Sequence, residues 1–243
     1  MRINHNLQNL ATQFRSKWDI GSKDPIRFKS LLIKLNIIVL FKQLSERFSG
    51  MSYMASDNKF MLINSEHPLG RQNFTVCHEI YHLCVQSDFT LHSCITEGFD
   101  RRNKSEYNAD LFAAYLLMPE SGIFDFIPKD ELKKNKISLP TILKIEQFYE
   151  CSRTALLYRL ESLNLIDVGA YELFRFNVSR EARQYGYDSS LYYPGRHGLV
   201  IGDYGIIAKE LFDKEKISES HYISLLHDIG IDVDKENDQH EQS

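Results

Sequence analysis

The chain has 243 residues, a formal net charge of −4, 43% hydrophobic side chains and 26% charged ones. That balance is ordinary for a globular protein, and the acidic total argues against nonspecific nucleic-acid binding through bulk charge. No apolar run approaches the roughly 20 residues of a membrane span, and the opening residues, Met1 to Asn6, lack a signal-peptide core.

Residues 1–20 read as a polar helix that carries Leu7, Leu10, Phe14 and Trp18, the pattern of an arm docked on a core. Pro25 to Leu35 reads as a second helix, opened by the proline. The β-branched run Ile37 to Phe41 predicts a buried strand. Met51–Met54 and Phe60–Asn64 predict two more around an Asp57-Asn58 turn. Phe74 to Val85 then has helical spacing, and residues 86–104 read as a polar loop. In that loop Arg101, Arg102 and Lys104 form a basic cluster on a solvated surface. Glu106 to Met118 predicts a helix that Ser105 caps and Pro119 stops. Ser121 to Lys136 is a mixture of helix and loop.

Leu139–Tyr149 and Ser152–Leu163 predict a helix pair of helix-turn-helix type. The segment has little excess positive charge, so a structural pair is favoured over a DNA reader, and direct nucleic-acid binding stays open. From about 170 the chain turns Tyr- and Gly-rich. It has a short strand at Leu199 to Ile201 and helices over Ile206–Phe212 and Ser218–Leu226. Residues 234–243 form a charged tail with the composition of a disordered segment. Internal repeats and Gly-rich phosphate loops are absent from the sequence.

The chemistry concentrates at His78-Glu79-Ile80-Tyr81-His82, an H-E-x-x-H pattern. Positions i and i+4 share one helix face, so His78 and His82 can direct two imidazoles at one metal ion. Glu79 is placed to take a proton from a water at that metal. Two exposed histidines on an ordinary amphipathic helix would fit a bare match equally well. The helical wheel separates the readings. Cys77, Ile80, Tyr81 and Cys84 cluster as a core face, and the three ionisable residues share the remaining arc. In the next helix Glu106, Ala109, Asp110, Ala113 and Leu117 share one face. Glu106 supplies the third ligand of a His₂Glu set. Asp110, one turn on, is placed to accept a hydrogen bond from a ligand histidine and so to fix its tautomer. The small residues let two helices approach closely.

The four cysteines, Cys77, Cys84, Cys94 and Cys151, form no C-x-x-C pair and read as free thiols of a reducing cytoplasm. Cys94, near His92, reads as a plain loop residue. Zinc suits the helix spacing and the adjacent base best, and manganese or iron would also accept two histidines and a carboxylate.

The run Arg71-x-x-Phe74-Thr75-x-x-His78-Glu79-x-x-His82, followed by Glu106-x-x-Ala109-Asp110-x-Phe112-Ala113-Ala114-Tyr115-Leu116-Leu117-Met118-Pro119, resembles the ImmA/IrrE-type metallo-endopeptidases, gluzincin-type H-E-x-x-H enzymes. Ser49-Gly50, Phe60 to Asn64 and Ser152 to Leu160 extend the resemblance over about residues 20–170. It implies that His78, His82 and Glu106 bind metal and that Glu79 is the general base. It implies a protein substrate, commonly a helix-turn-helix repressor whose loss induces a stress, phage or mobile-element operon. Tyr81 departs from the small residue usual in the family, on the face inferred to be core.

The expected fold is α+β. A small zincin-like core, with a short antiparallel or mixed sheet packed on the H-E-x-x-H helix and the glutamate helix, fills residues 1–136 with the N-terminal arm. The helix-turn-helix-like segment spans 137–170, a small C-terminal subdomain spans 171–233, and the tail spans 234–243. Two further readings compete with the peptidase. One is a non-catalytic regulator with a structural metal, closed by a fourth protein ligand such as His67 or His92. The other is a toxin–antitoxin component.

Overall fold

The computed structural model describes residues 4–55, 58–87, 92–95 (backbone only) and 103–231. The expected turn at Asp57, the side chains of His92 and Cys94, Arg101, Arg102 and the 234–243 tail lie outside the described residues.

Helix α1 (His5–Lys17) is capped by the Asn4 side chain and lays Leu7, Ala11 and Phe14 inward. Phe14 meets Phe112 edge-on at 5.9 Å, so the arm is anchored to the glutamate-bearing helix. The second helix, α2 (Phe28–Lys34), starts three residues later than expected from Pro25. Residues 25–27 stay irregular, and Arg27 stands at its N-cap.

Strands β1 (Ile37–Lys42), β2 (Phe48–Ala55), β3 (Asn58–Asn64), β4 (His92–Ile95) and β5 (Val200–Ile201) form one mixed sheet in the order β4-β2-β3-β1-β5. Only β1 and β3 run parallel. Inner strand β1 is hydrophobic through almost its whole length, as a strand flanked on both sides should be. One of these strands was not expected, and another was expected without its partner. The stretch expected as a loop over 86–104 contains β4, paired antiparallel to β2. The short C-terminal strand β5 pairs with β1.

Beneath the sheet runs α3 (Leu69–Cys84), which begins five residues earlier than the motif alone suggested. Its polar arc is as buried as its apolar one. Val76, Cys77 and Ile80 are buried, and so are His78, Glu79 and His82. Gln72 donates to the Ser65 and His67 carbonyls, and Asn73 donates to the Glu150 carbonyl, which ties loops to the start of the helix. Against α3 packs α4 (Lys104–Leu117). Its N-cap is Asn103, whose side chain accepts from the Ser105 and Glu106 amides, and not Ser105. An Asn three residues ahead of the first acidic side chain offers a shorter route to those amides than Ser105, which lies inside the first turn.

Short α5 (Glu120–Phe126) leads to α6 (Leu139–Tyr149) and α7 (Arg153–Ser162), close to the expected pair. Helix α7 buries Ala155, Leu156, Leu157 and Leu160 together with Arg153 and Arg159, its only two basic residues. A helix that keeps both arginines inside has no basic face to present to DNA phosphates. Two helices went unforeseen, α8 (Val168–Phe174) and α9 (Val178–Gln184). A 3-10 turn over Ser190–Tyr192 leans on α3, and α10 (Tyr204–Asp213) and α11 (Glu219–Asp228) follow. Among the described residues no helix is long and apolar enough to cross a membrane.

Gly70 fixes how closely α3 meets the α6–α7 turn. A Cβ there would lie 2.7 Å from the Ser152 nitrogen and 2.8 Å from the Cys151 carbonyl carbon. Backbone cannot yield as a side-chain tip can. Gly70→Ala is therefore expected to lose about 1–3 kcal/mol to overpacking, more than the at most ~1 kcal/mol that alanine gains in helix propensity. A urea denaturation midpoint at or above wild type would contradict that contact.

Candidate metal centre

One turn of each of two helices, α3 and α4, positions the site. On α3, His78 and His82 lie one turn apart, with ring centroids 4.9 Å apart and Nε2 atoms 3.2 Å apart. From α4, Glu106 brings Oε2 to 3.1 Å from His78 Nε2 and Oε1 to 3.4 Å from His82 Nε2. Ligand atoms of these three residues all lie within 4.8 Å of one another, and they are the one such donor group among the described residues.

The outer nitrogens decide what the inner ones are. Asp110 Oδ1 lies 2.8 Å from His78 Nδ1, and Gln86 Oε1 lies 2.6 Å from His82 Nδ1. A carboxylate and an amide oxygen can only accept, so each Nδ1 carries the proton in a neutral ring. Each Nε2 then holds a lone pair. Two lone pairs and a carboxylate converging on one point repel each other unless a cation stands between them. The donor set therefore fits a divalent metal ion.

Glu79 lies on the same helix but does not join the donor group. It is fully buried, and the Ser52 hydroxyl of β2 donates to its Oε2 at 2.6 Å. Its Oε1 has no hydrogen-bond partner among the described residues. Burial pushes the carboxyl up to about 7, opposed by the nearby His78 and the Ser52 hydrogen bond. A buried carboxyl with one oxygen clamped and one free is suited to taking and returning a proton.

All five residues singled out in the sequence, His78, Glu79, His82, Glu106 and Asp110, thus come together. Sequence reasoning missed Ser52 and Gln86. Gln86 stands at i+4 from His82, a spacing that could have revealed it. Ser52 reaches Glu79 only through the packing of sheet on helix, which leaves no local signal. His67 is no ligand. Its Nε2 lies 2.9 Å from the Glu46 carbonyl, and it stands outside the donor group. Tyr81 packs on Phe112 at 5.5 Å and crosses the His82 ring edge-on at 5.6 Å, so it supports the ligand from the core side. Cys77 and Cys151 are buried free thiols, both raised by burial and so unreactive.

A cleft of about 520 Å³ opens from His78 and Asp110 and is walled by Phe74, Tyr158, Tyr171 and Tyr192. A peptide-sized groove beside a three-ligand centre with an adjacent buried carboxyl defines a metallopeptidase. The family comparison gives the same class: the IrrE N-terminal-like domain model of Peptidase_M78 matches residues 34–161, more than half of the chain. The chain belongs to this ImmA/IrrE metallopeptidase family, and its substrate is a protein. No curated protein matches it.

Proposed function

We propose that this is a zinc-dependent endopeptidase of the cytoplasm that cuts a helix-turn-helix transcriptional repressor, and so induces a stress, phage or mobile-element operon. The observation that carries the catalytic reading is the pair of facing Nε2 atoms, each ring held by an acceptor on its far side. The repressor as substrate rests on family membership.

His78, His82 and Glu106 would hold the metal, and zinc is the ion that this donor set and the neighbouring base suit best. When bound, the ion supplies Lewis acidity and makes water acidic enough to attack near neutral pH. Glu79 takes the proton of the attacking water on Oε1 and returns it to the leaving amine. Ser52 keeps the other oxygen of Glu79 fixed during both transfers. Asp110 and Gln86 keep the two imidazoles in the required tautomer. The described free cysteines suit a reducing compartment.

The test uses purified protein and the repressor encoded beside its gene. Chelator-stripped protein is expected to leave the repressor intact, and added zinc to restore a single cut, read by mass spectrometry. Cleavage that survives stripping would exclude the metal-dependent mechanism. A repressor left whole by zinc-loaded protein, with another peptide cut, would exclude only the substrate.

A further inference from the structure

A second cavity lies away from the metal centre. It has a volume of about 530 Å³ and sits between α1, α4, α5 and α7. Arg15 and Arg159 line it, against a single carboxylate, Glu120. Arg15 is buried and spends its donors on backbone carbonyls, Gly21, Asp24 and Leu116, and the nearby Asp24 carboxylate supports its charge. Arg159 is equally buried and lies over the Tyr115 ring at 4.6 Å. Its Nε reaches the Met118 carbonyl at 3.3 Å and its Nη1 the Ser162 hydroxyl at 3.3 Å. Its Nη2 makes no hydrogen bond among the described residues. The closest ion-pair contact of Nη2 is Glu120 Oε2 at 3.8 Å, and that oxygen already accepts from Gln8 Nε2 at 2.7 Å. Burial lowers Arg159 to about 10.

A buried guanidinium with one nitrogen left without a hydrogen bond and one borrowed carboxylate is costly unless an anion completes the set. We infer that this cavity binds a small phosphorylated molecule, whose phosphate engages Arg159 Nη2 and displaces the Glu120 carboxylate. The hydroxyls of Ser16, Ser22 and Ser121 line the same space and suit a tetrahedral oxyanion. The volume leaves room for the rest of a metabolite-sized ligand. Both arginines also grip the last carbonyls of α4, Leu116 and Met118. The ligand would therefore sit at the far end of the helix that carries Glu106 and Asp110.

Trp18, the only tryptophan of the chain, stands three residues past Arg15 and reports on this end of α1. Inorganic phosphate is titrated into the full-length protein against chloride at equal ionic strength, with acetate as a planar-carboxylate arm, following Trp18 emission. A saturable change with phosphate is expected, weaker with acetate. Arg159→Gln is expected to weaken it by roughly ten-fold or more, as loss of a charged hydrogen bond would. Glu120→Gln, which removes the internal competitor, is expected to tighten it several-fold, and it alone decides if Arg159→Gln fails to fold. A flat titration, equal response to acetate, or a phosphate affinity indifferent to both substitutions (as for phosphate held at the metal centre) would overturn the assignment. The outcome does not depend on peptide cleavage or on zinc.

Discussion

Glu79→Gln is expected to leave the metal content unchanged and to lower the cleavage rate by about 10²–10⁴-fold, the usual contribution of a positioned general base. The geometry separates the two effects. Glu79 stands outside the donor group of His78, His82 and Glu106, so its loss removes no ligand. The amide matches the carboxylate in shape, and its oxygen can keep the bond from Ser52. What the amide cannot do is accept a proton at the position of Oε1. Stability should not fall. Burial raises the Glu79 carboxyl to about 7, so above that pH the folded state carries a carboxylate that burial disfavours, and a neutral amide removes that cost. Three measurements settle the matter: metal per chain, urea midpoint and single-turnover cleavage. A rate near wild type with full metal would remove Glu79 from the mechanism. A loss of metal in parallel with activity would make it a ligand instead.

The site was legible because it is written in helical periods. His78 and His82 at i and i+4, and Glu106 and Asp110 at i and i+4, project side chains from one face each, whatever the rest of the fold does. Such spacings survive translation from sequence to space. Ser52 was not legible, since the contact of a β2 residue with an α3 residue depends on sheet order and on which face of the strand turns inward. The wheel also misjudged the surroundings of α3. It divided the helix into a core face and a polar arc, whereas the sheet and α4 cover both. Helices α8 and α9 escaped detection for a different reason. Each spans only seven residues; α8 packs Ala170, Tyr171 and Phe174 on the core without burying any fully, and α9 buries only Ala182, so the apolar pattern of each is too short to read. The cap of α4 was off by two residues, the usual ambiguity where Asn and Ser stand close together.

The largest expected stability effect lies behind the cleft, at Glu146. This side chain is fully buried on α6 and holds Arg153 of α7 in a two-pronged ion pair, Nε to Oε1 and Nη2 to Oε2 at 3.1 Å. Arg153 Nη1 extends the network to Glu181 of α9 at 2.9 Å and to the Phe174 carbonyl at 2.8 Å. The Tyr192 hydroxyl donates to Glu146 Oε2 at 2.9 Å. One carboxylate thus joins the helix pair to the segments that wall the cleft with Tyr171 and Tyr192.

Glu146→Gln is expected to cost about 3 kcal/mol, the lower end for a broken buried pair, because Glu181 still compensates part of the Arg153 charge. The desolvated guanidinium and not the lost attraction makes up most of that figure, which gives a sharper test. Replacing both partners by apolar residues, Glu146→Leu with Arg153→Met, removes the stranded charge along with the pair. The double variant should therefore be more stable than Glu146→Gln alone. Urea denaturation of Glu146→Leu, Arg153→Met and the double variant measures the coupling directly. A cost below about 1 kcal/mol for Glu146→Gln would show that water reaches Arg153 and that the network is ordinary surface pairing. If the double variant folds firmly yet no longer cuts its substrate while its metal content stays full, the network acts on the cleft wall and not on the metal.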